Sequence, residues 1–303
     1  MNVLHSSGAA AGRRKIRNSQ FAIRHFPAFT LIELLVVISI MGLLAAFAVP
    51  ALKNLGKSNI RVGAARQLLD DVGRARQLAI SQHTTVYMVF IRTNFWMAPP
   101  LPFPTTWWNL LTPAQHSVAT NLCDRQLTGY NFVSLRSVGD QPGQGRRRYL
   151  ADWQTLPDGT FIAQQKFQLL PGNYYSILAN NATIRIYGFN TTNSIPFPTE
   201  DSQSGSDVGL PYLAFNQPYI AFNYLGQLTV DGQNIALRDE YLPLAQGSVL
   251  PVVNGSSKTY VITADISPSV SENPPGNSTN SMYNLIHIDR LTGRATLEYQ
   301  KVQ

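Results

Sequence analysis

Phe29-Thr30-Leu31-Ile32-Glu33-Leu34-Leu35-Val36-Val37-Ile38-Ser39-Ile40-Met41-Gly42-Leu43-Leu44-Ala45-Ala46-Phe47-Ala48-Val49-Pro50 is the stretch that decides how this chain is read. Positions 29–49 carry one formal charge, on Glu33. As a helix rising 1.5 Å per residue, the stretch covers about 31 Å, the thickness of a bilayer hydrocarbon core. A plain single-pass anchor or an uncleaved signal segment would look the same without that glutamate. A carboxylate at the centre of a spanning helix costs about 2.5–3.5 kcal/mol, and less near an interface. Glu33 lies about 6 Å along the axis from Phe29, so its cost is below that figure and still needs a compensating partner.

The flank supplies one. Arg24-His25-Phe26-Pro27-Ala28 is basic and ends in a small residue. A cut between Ala28 and Phe29 would create a cationic amine one helical turn from Glu33, or from the Glu33 of a neighbouring copy. At about 4 Å and an effective dielectric near 20, that attraction is about 4 kcal/mol before desolvation. Such a pair could fix the axial register of a staggered helix bundle.

At these residues the chain resembles the type IV prepilins and type II secretion pseudopilins. Phe29, Thr30, Leu31, Ile32, Glu33, Gly42 and Pro50 match the family motif, and Ala28 departs from its usual glycine. The resemblance implies cleavage after Ala28 by a prepilin peptidase, with N-methylation of Phe29. It also implies assembly through Glu33, Gly42 and Pro50.

The net charge of +7 invites a nucleic-acid reading, but its placement argues otherwise. Arg13, Arg14, Lys15, Arg17 and Arg24 lie in 1–28, which holds no acid. Removing those five leaves 19 basic against 17 acidic residues, a net of +2. The excess therefore reads as a signal that keeps the leader cytoplasmic. Cys123 is the only cysteine, so no intramolecular disulfide forms, and it reads as a small buried hydrophobe.

In chain order, 1–28 is a leader, 29–50 a transmembrane helix and filament core, 51–83 an amphipathic helix, and 84–303 a periplasmic β-rich head. A kink is expected near Pro50. Past it, Leu52, Leu55, Val62, Ala65, Leu69, Val72, Arg76 and Ala79 form one stripe. Residues 84–91 read as a strand. The run from Ala64 through Ala75-Arg76 and Ala79-Ile80 into this strand resembles the GspH/FimT group of minor pseudopilins. Residues 92–150 read as irregular, with Pro99, Pro100, Pro102 and Pro104 excluding a central strand. Strands are expected at 160–170, 182–189, 219–224, 227–230, 233–237, 249–253 and 258–264. Loops are expected at 191–210 and 267–280, and a final strand pair about a turn at 291–294. The fold class is α+β: a long N-terminal helix packed on an antiparallel head, in one sheet or two.

No catalytic constellation is visible. The five histidines are scattered, and no H-E-x-x-H, G-x-S-x-G or P-loop occurs. Asp70 and Asp71 diverge by about 100° on a helix. Glu200, Asp201 and Asp207 share a loop that could meet Ca²⁺, but without EF-hand spacing they read as solvated. No enzyme activity, cofactor or metal is expected.

The expected function is that of a minor pseudopilin or pilin-like subunit in the bacterial inner membrane, N-terminus cytoplasmic and head periplasmic, able to enter a pilus or pseudopilus. Its expected partners are other pilin subunits, the peptidase, an inner-membrane assembly platform and lipid. Nucleic acid is not expected. Two alternatives are a DNA-binding pilin using Arg146, Arg147 and Arg148, and a surface-adhesion pilin using Trp107 and Trp108.

Overall fold

The computed structural model describes residues 30–97, 108–109, 111–136, 139–141, 145–179, 182–193, 195–201, 214–215, 217–262, 266–279 and 284–299. The side chains of 48–59, 179, 182, 214, 215 and 299 lie outside that description, as do the expected leader, Ala28 and Phe29. The chain divides into two compact units, Met1–Leu52 and Lys53–Gln303.

Helix α1 is assigned over Leu31–Ser81 and continues through Pro50. In the first unit, the large apolar side chains of Leu31 to Phe47 are between 41% and 82% exposed. Among the described residues no helix is long and apolar enough to cross a membrane. The described side chains of the apolar run stop at Phe47, so the expected span at 29–50 lies partly outside them.

In the second unit, α1 buries Ala64, Ala65, Leu68, Val72, Ala75 and Ala79 completely. This corrects the expected stripe. Leu68 and Ala75 face inward, whereas Leu69 and Arg76 are only half-buried. The expected and observed stripes share Ala65, Val72 and Ala79; they differ in the position between, Leu68 and Ala75 in place of Leu69 and Arg76, which turns the buried face slightly about the helix axis. Arg76 donates from Nε to the carbonyl of Thr292 at 2.7 Å. Leu52 and Leu55 lie outside the described side chains.

Strand β1 (Val86–Phe90) is buried at all five positions. Val86, Met88 and Phe90 pack with the α1 face. Tyr87 and Val89 enter a second cluster with Val133, Ile195, Tyr219 and Ala221. The period of two thus serves two cores. β1 is flanked antiparallel by β2 (Gly129–Ser134) and β10 (Tyr219–Phe222). The sheet order is β11-β10-β1-β2-β3, with β4 also on β2. Here β3 is Arg148–Tyr149, β4 Gln154–Thr155 and β11 Leu228–Thr229.

The second sheet runs β13-β12-β14-β15, with β5 also on β12. These strands are β5 (Thr160–Ile162), β12 (Glu240–Leu250), β13 (Ser269–Glu272), β14 (Asn284–Ile288) and β15 (Ala295–Tyr299). Leu242, Leu244, Ile286 and Ile288 join the α1 cluster, so both sheets share one core with the helix. Two hairpins complete the head: β6 (Tyr174–Ala179) with β7 (Ala182–Tyr187), and β8 (Ile195–Pro196) with β9 (Ala214–Phe215).

The described parts of 92–150 hold more regular structure than expected. They contain α2 (Pro113–Cys123), opened by a reciprocal Thr112–Gln115 capping box, and the buried strand β2. Ile91, Phe95, Trp96, Leu122, Cys123 and Phe197 form a separate cluster, with Trp108 against it. Trp153 packs against both this cluster and the one that holds Tyr87 and Val89, and so ties it to the second face of the first sheet. Strands at 233–237 and 258–264 reduce to bridges at Ile235 and Tyr260. Of the strand expected at 249–253, Val249 and Leu250 end β12, and Val253 forms an isolated bridge with Tyr260. The 160–170 strand is cut short at Ile162, where the short helix α3 (Gln164–Gln168) begins. The loops at 191–210 and 267–280 hold β8 and β13.

Lys166 on α3 is fully buried and ion-paired to Glu240. Its ammonium also donates to the carbonyl of Tyr187 at 2.9 Å and sits over the ring of Phe189. Burial pushes its pKa down, and Glu240 partly restores it. Lys166→Ala should cost about 3–5 kcal/mol in urea unfolding, because Glu240 loses its partner; Lys166→Met with Glu240→Leu should be near neutral. Gly293 has φ +61°, and a Cβ there would lie 2.0 Å from the carbonyl oxygen of Gly226. Gly293→Ala should lower stability by more than about 1 kcal/mol in the same assay; an unchanged midpoint would refute this close approach.

Candidate functional site

The sequence Thr30-Leu31-Ile32-Glu33 has the S/T-x-x-E spacing of a helix start, and the structure uses it that way. The Thr30 backbone N–H donates to Glu33 Oε2 at 3.0 Å, and its hydroxyl donates to the same oxygen at 2.9 Å. The Glu33 N–H donates to Thr30 Oγ1 at 3.3 Å. The Leu34 N–H donates to the carbonyl of Thr30 at 3.1 Å and closes the first turn. Two backbone donors at the helix start are thereby satisfied, and a carboxylate sits where the helix dipole favours it.

This supplies a partner for Glu33 within its own helix, which the charge-pair argument from sequence left out. The spacing was there to be read. Both bonds from Thr30 fall on Oε2, and Oε1 receives neither. A carboxylate has room for about four hydrogen bonds, so a capping glutamate can still accept a cation. The Phe29 amine, the partner expected from sequence, lies outside the described residues.

Gly42 adds a second feature. A Cβ placed there meets nothing within 4 Å. Among the described residues nothing therefore demands glycine on steric grounds at that position. Ser39 bonds back to the carbonyl of Leu35 at 2.8 Å, so its hydroxyl is satisfied along the helix.

Residues 24–49 match the prokaryotic N-terminal methylation motif. The match supports a type IV pilin-like or pseudopilin subunit in the broad sense, with processing by a prepilin peptidase and assembly with other pilins. It belongs to a structural class and not to an enzyme class. No curated protein matches the chain, and no solved structure matches it.

The other candidate residues do not converge. The Arg146 backbone N–H is tied to Asp140 at 2.6 Å. Arg147 is half-buried, and burial lowers its pKa. Arg148 begins β3 opposite Ser134. The triplet is thus partly absorbed into the fold. Trp107 lies outside the described residues; Trp108 packs edge-on to His116. Glu200 accepts the N–H of Tyr149 at 3.1 Å, Asp201 is exposed, and Asp207 lies outside the described residues. Among the described residues no group of three His, Cys, Asp or Glu side chains could hold a metal ion.

Cys123 is buried and donates toward the carbonyl of Ala119. Burial, with Asp124 beside it, pushes the thiol up to about 12, which leaves little reactive thiolate at neutral pH. Asp70 and Asp71 part company as expected. Asp70 is exposed, while Asp71 accepts the Tyr130 hydroxyl, which in turn accepts Gln67 Nε2 at 2.8 Å.

Thr30→Ala removes the hydroxyl half of the capping box at a cost of about 1 kcal/mol. Amide hydrogen exchange in detergent should then quicken about fivefold at 31–34 and stay unchanged beyond the second turn.

Proposed function

We propose that this chain is a minor pseudopilin or pilin-like structural subunit, of the GspH/FimT type, in a type II secretion or type IV pilus-like system. The observation that carries this reading is the capped Glu33 at the start of an exposed apolar helix, within the matched residues 24–49. An apolar run with its large side chains uncovered needs lipid or other subunits around it. A carboxylate held at its first turn gives such a bundle a fixed axial register.

In this reading the leader 1–28 stays cytoplasmic and is cut after Ala28. Phe29 is then N-methylated, and its amine pairs with Oε1 of Glu33, in the same subunit or the next. Thr30 keeps Oε2 engaged and holds the carboxylate in place. Gly42 admits close helix approach, and Pro50 marks the end of the membrane and filament segment. The head from 84 onward lies in the periplasm and meets other subunits. The alternatives rest on weaker ground: the Arg146–Arg148 triplet is partly engaged, and Trp108 covers its own core.

Two measurements test this. The intact mass and N-terminal residue of protein from native membranes should show a start at Phe29, heavier by one methyl group. A start at Met1 would remove the amine that Glu33 requires. Glu33→Ala should leave membrane insertion intact and abolish incorporation into filaments; normal incorporation would sink the register argument.

A further inference from the structure

The outward face of the β6–β7 hairpin carries an arrangement that neither the core nor the assembly helix uses. The inner face is accounted for: Ile177 and Ile186 pack with Leu285, flanked by Tyr175, Ile184 and Tyr241. On the other face, the cross-strand pair Tyr174 and Tyr187 meet with ring centroids 5.2 Å apart. Arg185 lies over Tyr174 at 5.1 Å, and Arg238 lies over Tyr187 at 3.6 Å. The result is a row of guanidinium, ring, ring and guanidinium.

Both arginines are exposed, and neither forms an ion pair among the described residues. The acids next to Arg238 are engaged elsewhere. Asp239 holds His287 and the Arg290 N–H, and Glu240 holds Lys166. A guanidinium stacked by its face keeps its N–H edge free for a carboxylate. Alongside stand large apolar side chains with nothing over them: Tyr174 is 47% exposed, and Leu178 and Leu170 are 70% exposed. Tyrosine, arginine and exposed leucine together have the composition of a protein-binding patch.

The edge of the hairpin is also open. Among the described residues β6 pairs only with β7, so one side of a six-residue strand has unpaired backbone groups. Among the described residues nothing blunts it: Tyr174, Ser176 and Leu178 are its outward residues, with no proline, lysine or bulge. Native proteins usually guard such an edge.

We propose that β6 is a docking edge for an extended, acidic segment of a partner protein that adds as a further strand. Its carboxylates share the outward face with Tyr174 and Leu178 and engage Arg185 and Arg238, and its alternate apolar side chains fall on the inward face beside Tyr175 and Ile177. The backbone ladder supplies affinity and the arginine pair supplies the sign of charge. The exposed leucines favour a protein over a nucleic acid, for which they offer no contact.

The test uses the full chain in neutral detergent and three labelled probes: an octapeptide of alternating Val and Glu, its Val–Lys counterpart, and oligothymidylate. Fluorescence anisotropy should show the Val–Glu peptide binding at least about tenfold more tightly than the Val–Lys peptide. Arg185→Ala with Arg238→Ala should weaken it about tenfold, with unchanged circular dichroism. Arg185→Glu with Arg238→Glu should reverse the preference. N-methylating alternate backbone amides of the peptide should abolish binding. Equal binding of both peptides, indifference to the arginines, or full binding of the methylated peptide would overturn the proposal. Tighter, arginine-dependent binding of oligothymidylate would make the row a nucleic-acid platform and would also overturn it. None of these readouts depends on filament assembly, so they stand or fall apart from the proposed function.

Discussion

Everything in the second unit depends on β1 being covered on both faces. Five consecutive buried residues cannot be served by one core. Their alternation sends Val86, Met88 and Phe90 to the helix and Tyr87 and Val89 the other way. The helix meets its side with small residues, Ala64, Ala65, Ala75 and Ala79, which bring its backbone close to the sheet. On the opposite side Tyr87 and Val89 share their face with Val133 of β2 and Tyr219 and Ala221 of β10, and Ile195 and Trp153 pack against it. The long irregular-looking segments are therefore part of the structural solution and not ornaments on it.

The same physical device opens two helices in the chain. Thr30 with Glu33 and Thr112 with Gln115 each exchange hydrogen bonds across the first turn. At α2 the box serves only the fold. At α1 it holds a charged group at the head of an uncovered apolar run. One local rule thus yields a structural cap in one place and a poised carboxylate in another, the difference being glutamate for glutamine and the surroundings of the helix.

Much of this was legible in the sequence where residues act locally. The T-L-I-E motif, the β-branched run of β1 and the closing hairpin about 291–294 are all set by neighbours in the chain. The misses share a cause. Helix α2, with Ala, Gln, His, Ser and Asn among its few residues, has little apolar periodicity, and its cap was the only strong signal. Strand β2, Gly129–Ser134, includes the polar Asn131 and Ser134, yet it is buried because β1 lies beside it. Strand β6 is set by its pairing with β7. Pairing partners distant in sequence, not local preference, decide such elements. The inner face of α1 differs by one position at two points, Leu68 for Leu69 and Ala75 for Arg76, because both neighbours suit the helical period and only the sheet opposite selects between them.

Arg76 and the carbonyl of Thr292 are separated by 216 positions, yet they share a hydrogen bond. The helix near the front of the chain is finished by a turn near its end, and the turn at Gly226 seats directly against Gly293. A head closed in this way cannot complete its core until Thr292 and Gly293 have emerged. Its apolar helix face waits uncovered until then, a state in which non-local folds are slow and prone to associate. Timing is thus built into the topology: maturation of the head is tied to the departure of the last strands, and any factor that shields α1 in the interval would act before the fold exists.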